Sequence, residues 1–250
     1  MAGTLYLIPN TLGALTAGTD GAPGMVIPGQ VQALTASLDY FIAENAKTTR
    51  AHLKLIAATH PLRKPLQEIL ISELNVNTEA GALPALLAPL KEGRNAGLIS
   101  EAGVPAVADP GANLVRLAHA SGIRVRPLVG PSSLLLAVMA SGLNGQSFAF
   151  NGYLPTDGAQ RTKRIKALEE RSRLDRQTQL FIETPYRNAA LLEALAHTCQ
   201  GNTLICTATD LTLESETIRT QSAAQWKSDI AAGKTGDLHK RPTVFLILAQ

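Results

Sequence analysis

Short apolar runs alternate along the chain with longer stretches in which apolar residues return at helical spacing. Runs at Thr4–Ile8, Asp39–Ala43, Ala96–Ser100, Arg124–Val129, Ser147–Phe150, Thr178–Ile182, Thr203–Ala208 and Thr243–Leu248 have the length of buried strands. The amphipathic stretches between them predict helices over Val31–Leu38, Lys47–Ala57, Thr78–Lys91, Asn113–Ala120, Ser132–Leu143, Thr162–Arg173 and Asn188–Cys199. Such alternation predicts an α/β fold with a largely parallel sheet covered on both faces. Ser132 after Gly130-Pro131 and Thr184 before Pro185 read as helix starts, and Ser222-x-x-Gln225 reads as a capping box for a helix carrying Trp226. The polar, glycine-bearing break Ser141–Gln146 predicts a domain boundary, giving domains over 1–145 and 146–250.

Composition adds exclusions. At 250 residues with 45% hydrophobic and 17% charged positions, the chain can bury a core without staples, and wholesale disorder is excluded. Only 4% of residues are aromatic, so packing rests on Ala, Leu, Ile and Val. Cys199 and Cys206 show no C-x-x-C or Cys/His metal spacing and read as core residues in a reducing compartment; no metal is expected. There is no secretory leader pattern and no uncharged 18-residue apolar run, so no membrane association and a cytoplasmic address are expected. A net charge of +3 is too small by itself to imply a nucleic-acid partner.

Candidate chemistry sits in the loops after the strands. Pro9-Asn10-Thr11-Leu12-Gly13 follows the first strand and leads into a loop bearing Gly18, Gly21, Gly24 and Gly29, without the G-x-G-x-x-G spacing of a dinucleotide site. Ser100–Gly111 packs two glycines, two prolines and the acids Glu101 and Asp109 into twelve residues at a strand's C-terminal end, where open α/β sheets hold ligands. Acids there repel phosphate and suit a cationic ligand or ribose hydroxyls. Asp109 reads equally as a helix cap. Gly130-Pro131-Ser132-Ser133 offers free amides and hydroxyls, and Glu183-Thr184-Pro185-Tyr186-Arg187 gathers a carboxylate, a phenol and a guanidinium.

Taken in order, these segments resemble the tetrapyrrole methylase family of S-adenosylmethionine-dependent methyltransferases, and within it the branch of small-subunit ribosomal RNA cytidine 2′-O-methyltransferases. Gly3–Pro9 resembles the branch's opening strand, and Ala43-Glu44 begins a segment similar to A-E-D-T-R. Ser100–Gly111 resembles S-D-A-G-T-P…S-D-P-G, Gly130–Ser133 resembles G-P-S-A, Asn151–Pro155 resembles F-x-G-F-L-P, and Phe181–Arg187 resembles F-Y-E-S-P-H-R. The resemblance implies two α/β domains with the methyl-donor cleft between them, in a homodimer. It implies S-adenosylmethionine as cofactor, with Asn10, Thr11, Glu101, Val104, Val107, Ser132, Ser133, Ile182, Ala208 and Thr243 around it. Glu44, Tyr186 and Arg187 are expected on the substrate side. If the acceptor is a ribose hydroxyl, a base near it would help, and Glu183 and Glu44 are the candidates; Glu183 is preferred because Glu44 reads first as a structural carboxylate.

The chain departs from the branch where substrate is read. Asn45 replaces the aspartate of A-E-D-T-R, and Cys206–Thr212 lacks the cations and glutamate of C-R-E-L-T-K. No counterpart of the branch's S-Y-H-E-type segment is evident between Lys64 and Glu79. One feature favours RNA: residues 161–176 hold seven Lys/Arg against three acids, a net +4 that leaves the remainder of the chain at −1. Arg161, Lys163 and Arg164 are candidates for tracking a phosphate backbone, although Glu–Arg pairs on a solvated helix face would carry the same charges. Three readings stand: methyl transfer to RNA at a ribose 2′-hydroxyl, methyl transfer to a tetrapyrrole or other small molecule, and donor binding without turnover.

Overall fold

The computed structural model describes residues 2–13 and 22–250, and Gly18 and Gly21 lie outside the described residues. The chain forms two units, Met1–Ser132 and Ser133–Gln250.

The first unit contains β1 (Thr4–Ile8), α1 (Ala22–Val26), α2 (Gly29–Ala36), β2 (Tyr40–Ala43), α3 (Ala46–Ala57), β3 (Leu70–Glu73), α4 (Leu83–Lys91), β4 (Ala96–Ile99), α5 (Ala112–Ala120) and β5 (Arg124–Pro127). Its strands pair in the order β3-β2-β4-β1-β5, all parallel. β2 and β4 are buried along their whole length, as expected of apolar strands covered on two faces. One face packs Leu5, Ile42 and Leu98 against Leu87 and Leu90 of α4 and Leu114 and Ala118 of α5. The other packs Ile8, Phe41 and Ile99 against Leu53 of α3, and α2 lies beside α3.

The second unit contains α6 (Ser133–Ser141), β6 (Phe148–Tyr153), α7 (Gly158–Asp175), β7 (Thr178–Ile182), α8 (Asn188–Thr198), β8 (Leu204–Thr209), β9 (Thr217–Ser222), α9 (Ala223–Ala231) and β10 (Thr243–Leu248). The order is β6-β7-β10-β8-β9. Only β6–β7 is parallel; β7–β10, β10–β8 and β8–β9 are antiparallel. A largely parallel arrangement therefore holds for the first sheet and fails for the second, because strand direction leaves no mark on a short apolar run. The core joins Phe181, Leu192, Phe245 and Trp226, whose indole N–H donates to the Ile205 carbonyl at 2.9 Å. The Ser222–Gln225 capping box forms as expected.

The division between units falls ahead of the break at Ser141–Gln146. α6 lies against β8, β9 and β10, and Thr220 Oγ1 donates to the Ser141 carbonyl at 2.7 Å, so that break is a connection inside the second unit. Both cysteines are buried, and burial pushes the Cys199 thiol up to about 12 and raises that of Cys206. Neither is a nucleophile at neutral pH.

Candidate functional site

β1 and β4 are neighbours, yet the chain leaves β1 toward the α2/α3 face and β4 toward the α4/α5 face. Their loops part at the strands' C-terminal ends, the position at which open α/β sheets take ligands. Asn10 spans the parting and is buried there. Its Nδ2 donates to the carbonyls of Ser100 (3.2 Å) and Glu101 (2.9 Å), and its Oδ1 accepts from Thr11 N (2.9 Å). Asn10 N donates to Gly103 O (2.7 Å) and Gly103 N to Thr11 O (3.2 Å), closing a small backbone ladder between the loops. Gly103 adopts φ +66°, a conformation that glycine takes without steric cost. The loop after β5 joins them: a Cβ at Gly130 would lie 2.1 Å from the Pro9 ring. Three loops from three adjacent strands thus form one rigid cradle. Asn10 builds it with its backbone N–H and its side-chain amide, and so positions the backbone of these loops around a ligand.

Three carboxylates gather at the same end. Glu44 Oε2 accepts from Glu101 N at 3.0 Å, tying the end of β2 to that of β4. Asp109 is pushed up to about 6 by burial, then by the charges of Glu44 and Glu101, against a hydrogen bond from Ser100 that lowers it. Asn45, where the family pattern has aspartate, caps α3 by accepting from Lys47 N and Thr48 N. The exchange keeps the cap and removes a fourth negative charge from this end. Val104 and Ser132 are half-buried and Val107 is 46% exposed on a stretch where Ala106 (φ +65°) and Ala108 (φ +63°) both take left-handed backbone. Non-glycine residues in that region cost energy and concentrate at ligand sites.

In the second unit, the end of the sheet where β7 and β8 finish and β10 begins holds another group. Ile182 and Ala208 both face Val244 across the ladder, and Thr243 faces Thr209. Thr243 Oγ1 is committed to Asn188, Thr209 and the Arg241 carbonyl. The Glu183 side chain is shut off from solvent: Oε1 accepts from Thr184 N (2.6 Å) and from Arg187 Nη2 (2.7 Å) and Nε (3.1 Å). Its Oε2 has no partner among the described residues. The carboxylate thereby fixes the 184–188 turn, and Oε2 alone is left for proton chemistry. Tyr186 is 70% exposed beside His239 and Lys240. Sequence reading missed the Asp210–Arg241 pair at 2.7 Å, which stands where the C-R-E-L-T-K pattern is lost. A long-range pair of this kind has no local signal.

The basic segment is α7, and its charge is uneven. Arg161, Lys163, Arg164 and Lys166 fall in its N-terminal half, where no acid follows the Asp157 cap before Glu169. The C-terminal half pairs Arg171 with Asp175 and Arg173 with Glu170. Lys163, Arg164 and Lys166 are exposed, Arg161 is half-buried, and Arg164 also donates to Asn151 Oδ1 at 3.2 Å.

No family model matches the chain. Across 99% of its length it is 30% identical to 81% of the ribosomal RNA small subunit methyltransferase I of Xylella fastidiosa. It is 32% identical over 86% of its length to 68% of the protein of the same name from Escherichia coli O157:H7. The chain belongs to this family of methyltransferases. In structure it matches the methyltransferase CobJ (TM-score 0.61, 18% identity, 99% of this chain and 95% of that one) and a cobalt precorrin-4 methyltransferase (TM-score 0.57, 12% identity, 98% and 94%). These structures share the chain's fold, that of tetrapyrrole methylase-like proteins, and the chain is a methyltransferase of the family for which the sequence resemblance implies S-adenosylmethionine as donor.

The first-unit cradle fits such a donor. Burial raises Asp109 and the charges of Glu44 and Glu101 add to it, so a cationic sulfonium group bound beside these carboxylates would be favoured. Glycine-bearing loops give close backbone approach, and the carboxylates suit ribose hydroxyls rather than phosphate. Of the residues expected at the donor, Asn10, Thr11, Glu101, Val104, Val107 and Ser132 belong to the first-unit loops. Ser133, at the start of α6, and the Ile182, Ala208 and Thr243 group belong to the second unit. Among the described residues, no helix is long and apolar enough to cross a membrane.

Proposed function

We propose that this methyltransferase acts on RNA, transferring methyl from S-adenosylmethionine to a ribose 2′-hydroxyl. The observation that carries the RNA reading is the N-terminal half of α7. Four cations there draw no acid of their own from that half of the helix, and Arg161 stands in its first turn, where the helix dipole disfavours a cation. Apart from the hydrogen bond from Arg164 to Asn151, these cations are unengaged by any acid and form no ion pair among the described residues, whereas a phosphodiester backbone crossing them would pair with all four. Tyr153, 59% exposed at the end of β6 just before α7, adds one ring on which a base can stack. The relatives' name, which specifies ribosomal RNA, agrees with this reading.

Bound donor supplies an activated methyl group for in-line displacement. The chain's part is to hold the acceptor oxygen and that carbon at about 3–3.5 Å, in line. Asn10, Thr11, Glu101, Val104, Val107, Ser132, Ser133, Ile182, Ala208 and Thr243 are proposed to hold the donor, and Glu44, Tyr186 and Arg187 to meet the acceptor alongside Arg161, Lys163 and Arg164. Glu183 is proposed to position Arg187, with Oε2 as acceptor for the hydroxyl proton. A cytoplasmic homodimer, as the resemblance implies, completes the reading.

The test is isotope-labelled methyl transfer by purified protein to fractionated RNA, protein and metabolites. Label in RNA is expected, with binding that weakens as salt rises. The Lys163→Gln/Arg164→Gln/Lys166→Gln variant should lower the logarithmic salt slope by about 2, since each single-strand phosphate contact contributes about 0.7. Label confined to small molecules would overturn the reading in favour of a tetrapyrrole or other small acceptor.

A further inference from the structure

In the second unit the connection that enters β10 is tied down on two sides. Toward the turn after β7, Lys240 N donates to Pro185 O (3.2 Å). Asn188, buried at the start of α8, donates from Nδ2 to the carbonyls of Leu238 (3.2 Å) and Arg241 (2.7 Å). Toward the end of β8, Arg241 reaches Asp210 Oδ2 with Nε (2.7 Å), while its Nη1 donates to Asp237 O (2.9 Å). His239 N donates to Asp237 Oδ1 at 2.9 Å. Among these ties Lys240 takes left-handed backbone, φ +59°. That region disfavours any residue with a Cβ, and such strain concentrates at functional places. Glycine would meet the needs of the turn alone without that cost. An exposed lysine there adds to the fold only what its side chain touches.

Its side chain touches Tyr186. Lys240 Nζ stands 5.8 Å from the centroid of the tyrosine ring, within cation–π reach. The His239 ring meets the same tyrosine at 5.9 Å with the planes at 78°, an edge contact. Tyr186 is exposed, so burial does not order it. Resting on the reading that Tyr186 meets the acceptor, we infer that Lys240 and His239 are positioning residues for methyl transfer: they clamp the Tyr186 ring in the orientation that receives the acceptor. The strained turn at Lys240 is kept for that delivery. A surface tyrosine otherwise turns about two torsions, and a ring ordered before binding spares that ordering when the acceptor arrives. Lys240 thus acts through Tyr186 and not on the acceptor itself.

Two arms test this with the full chain. In the first, the protein is labelled with 3-fluorotyrosine, and the Tyr186 fluorine resonance is identified by its loss in Tyr186→Phe. Lys240→Gly, Lys240→Met and His239→Ala should each move it toward the position of free fluorotyrosine. Lys240→Arg should hold it in place, since a guanidinium also sits over a ring. A resonance that none of the three changes moves would overturn the clamp. In the second arm, the variants are compared with the parent for methyl transfer to whichever cellular fraction the parent labels. KM for that acceptor should rise about fivefold in Lys240→Gly and Lys240→Met and recover in Lys240→Arg, with kcat and calorimetric affinity for S-adenosylmethionine within about twofold of the parent. The thermal midpoint of Lys240→Gly should not fall, because the left-handed backbone suits glycine; a raised KM without lost stability is what a purely structural lysine cannot produce. On a Tyr186→Ala background, Lys240→Met should cost nothing further. An unchanged KM, or losses that simply add on that background, would overturn the positioning role. Label in small molecules would overturn the RNA reading and leave this comparison to be made on that acceptor, whereas a parent that labels no fraction would overturn both.

Discussion

His52 gives the sharpest test of the first unit's energetics. It lies on α3, 3% exposed, and neither ring nitrogen has a hydrogen-bond partner among the described residues. Burial alone pushes it down to about 4 from the ordinary 6.5. A base depressed on folding is neutral in the folded state while the unfolded chain takes up a proton. Stability is then full above about 6.5 and is lost as pH falls toward 4. The gap of about 2.5 units corresponds to about 3 kcal/mol across that window. His52→Leu removes the titration and two unpartnered polar atoms at nearly constant volume. It should stabilise the first unit by about 1–2 kcal/mol at pH 7.5 and by about 2–3 kcal/mol more at pH 4.5. The single tryptophan, Trp226, reports on the second unit, so its fluorescence would miss the effect. Hydrogen exchange of the α3 and β2 amides, measured at both pH values in variant and parent, reads it directly. A variant–parent difference that does not grow on acidification, or a variant less stable than the parent at pH 7.5, would refute the reasoning.

Asp109→Asn is the mirror case. Its folded pKa lies above the ordinary 3.8, at about 6, so the carboxylate costs stability that is absent below 3.8 and fully felt above 6. The span is equivalent to about 3 kcal/mol, of which partial exposure leaves about 1–2. Denaturation of the variant should show about 1 kcal/mol of gain at pH 8 and none at pH 4, and a gain independent of pH would sink the assignment. Gly130→Ala places a Cβ 2.1 Å from Pro9 and must part the loops after β1 and β5. The expected cost is about 1–3 kcal/mol, with S-adenosylmethionine affinity, read by calorimetry, falling at least tenfold; unchanged affinity would show that the cradle is not the donor's seat.

How far the sequence carried the fold depended on local pattern. All eight anticipated strands form: β1, β2, β4, β7, β8 and β10 are apolar runs inside the sheets, and the little-buried edge strands β5 and β6 were legible from Val125 to Val129 and Phe148 to Phe150 beside turn residues. The two that sequence reading missed, β3 (Leu70–Glu73) and β9 (Thr217–Ser222), are edge strands with little burial, and Thr-Ile-Arg-Thr-Gln-Ser carries no apolar period to read. Ser72 to Asn75, where no counterpart of a branch motif was evident, carries the end of β3, and Glu73 Oε1 accepts from Ala46 N at 3.2 Å to support the α3 cap. The loops of the site were legible because glycine, proline and acids cluster at strand ends for reasons of backbone approach and charge. The bonds that bind those loops to one another were not. Asn10 reaches Ser100 and Glu101 across some ninety positions, and no local pattern announces such a contact.

His52 and Asp109 also bear on each other. Between pH 4 and 6.5 the first loses its penalty as pH rises while the second acquires one, so the parent's stability changes less across this window than either residue alone would dictate. Only variant–parent differences separate them, and the separation distinguishes their roles. An unpartnered imidazole buried among α3's packing residues costs stability with no ligand to offset it. Asp109 costs stability chiefly because it is buried, and the charges of Glu44 and Glu101 at the same end of the sheet add to that cost; the same gathering of negative charge would favour a sulfonium donor. If that is why the carboxylate is tolerated, Asp109→Asn should be more stable than the parent at pH 8 and yet bind S-adenosylmethionine more weakly, the two effects parting in opposite directions. A variant that gained stability and kept full donor affinity would mean that the Asp109 carboxylate does not serve the donor.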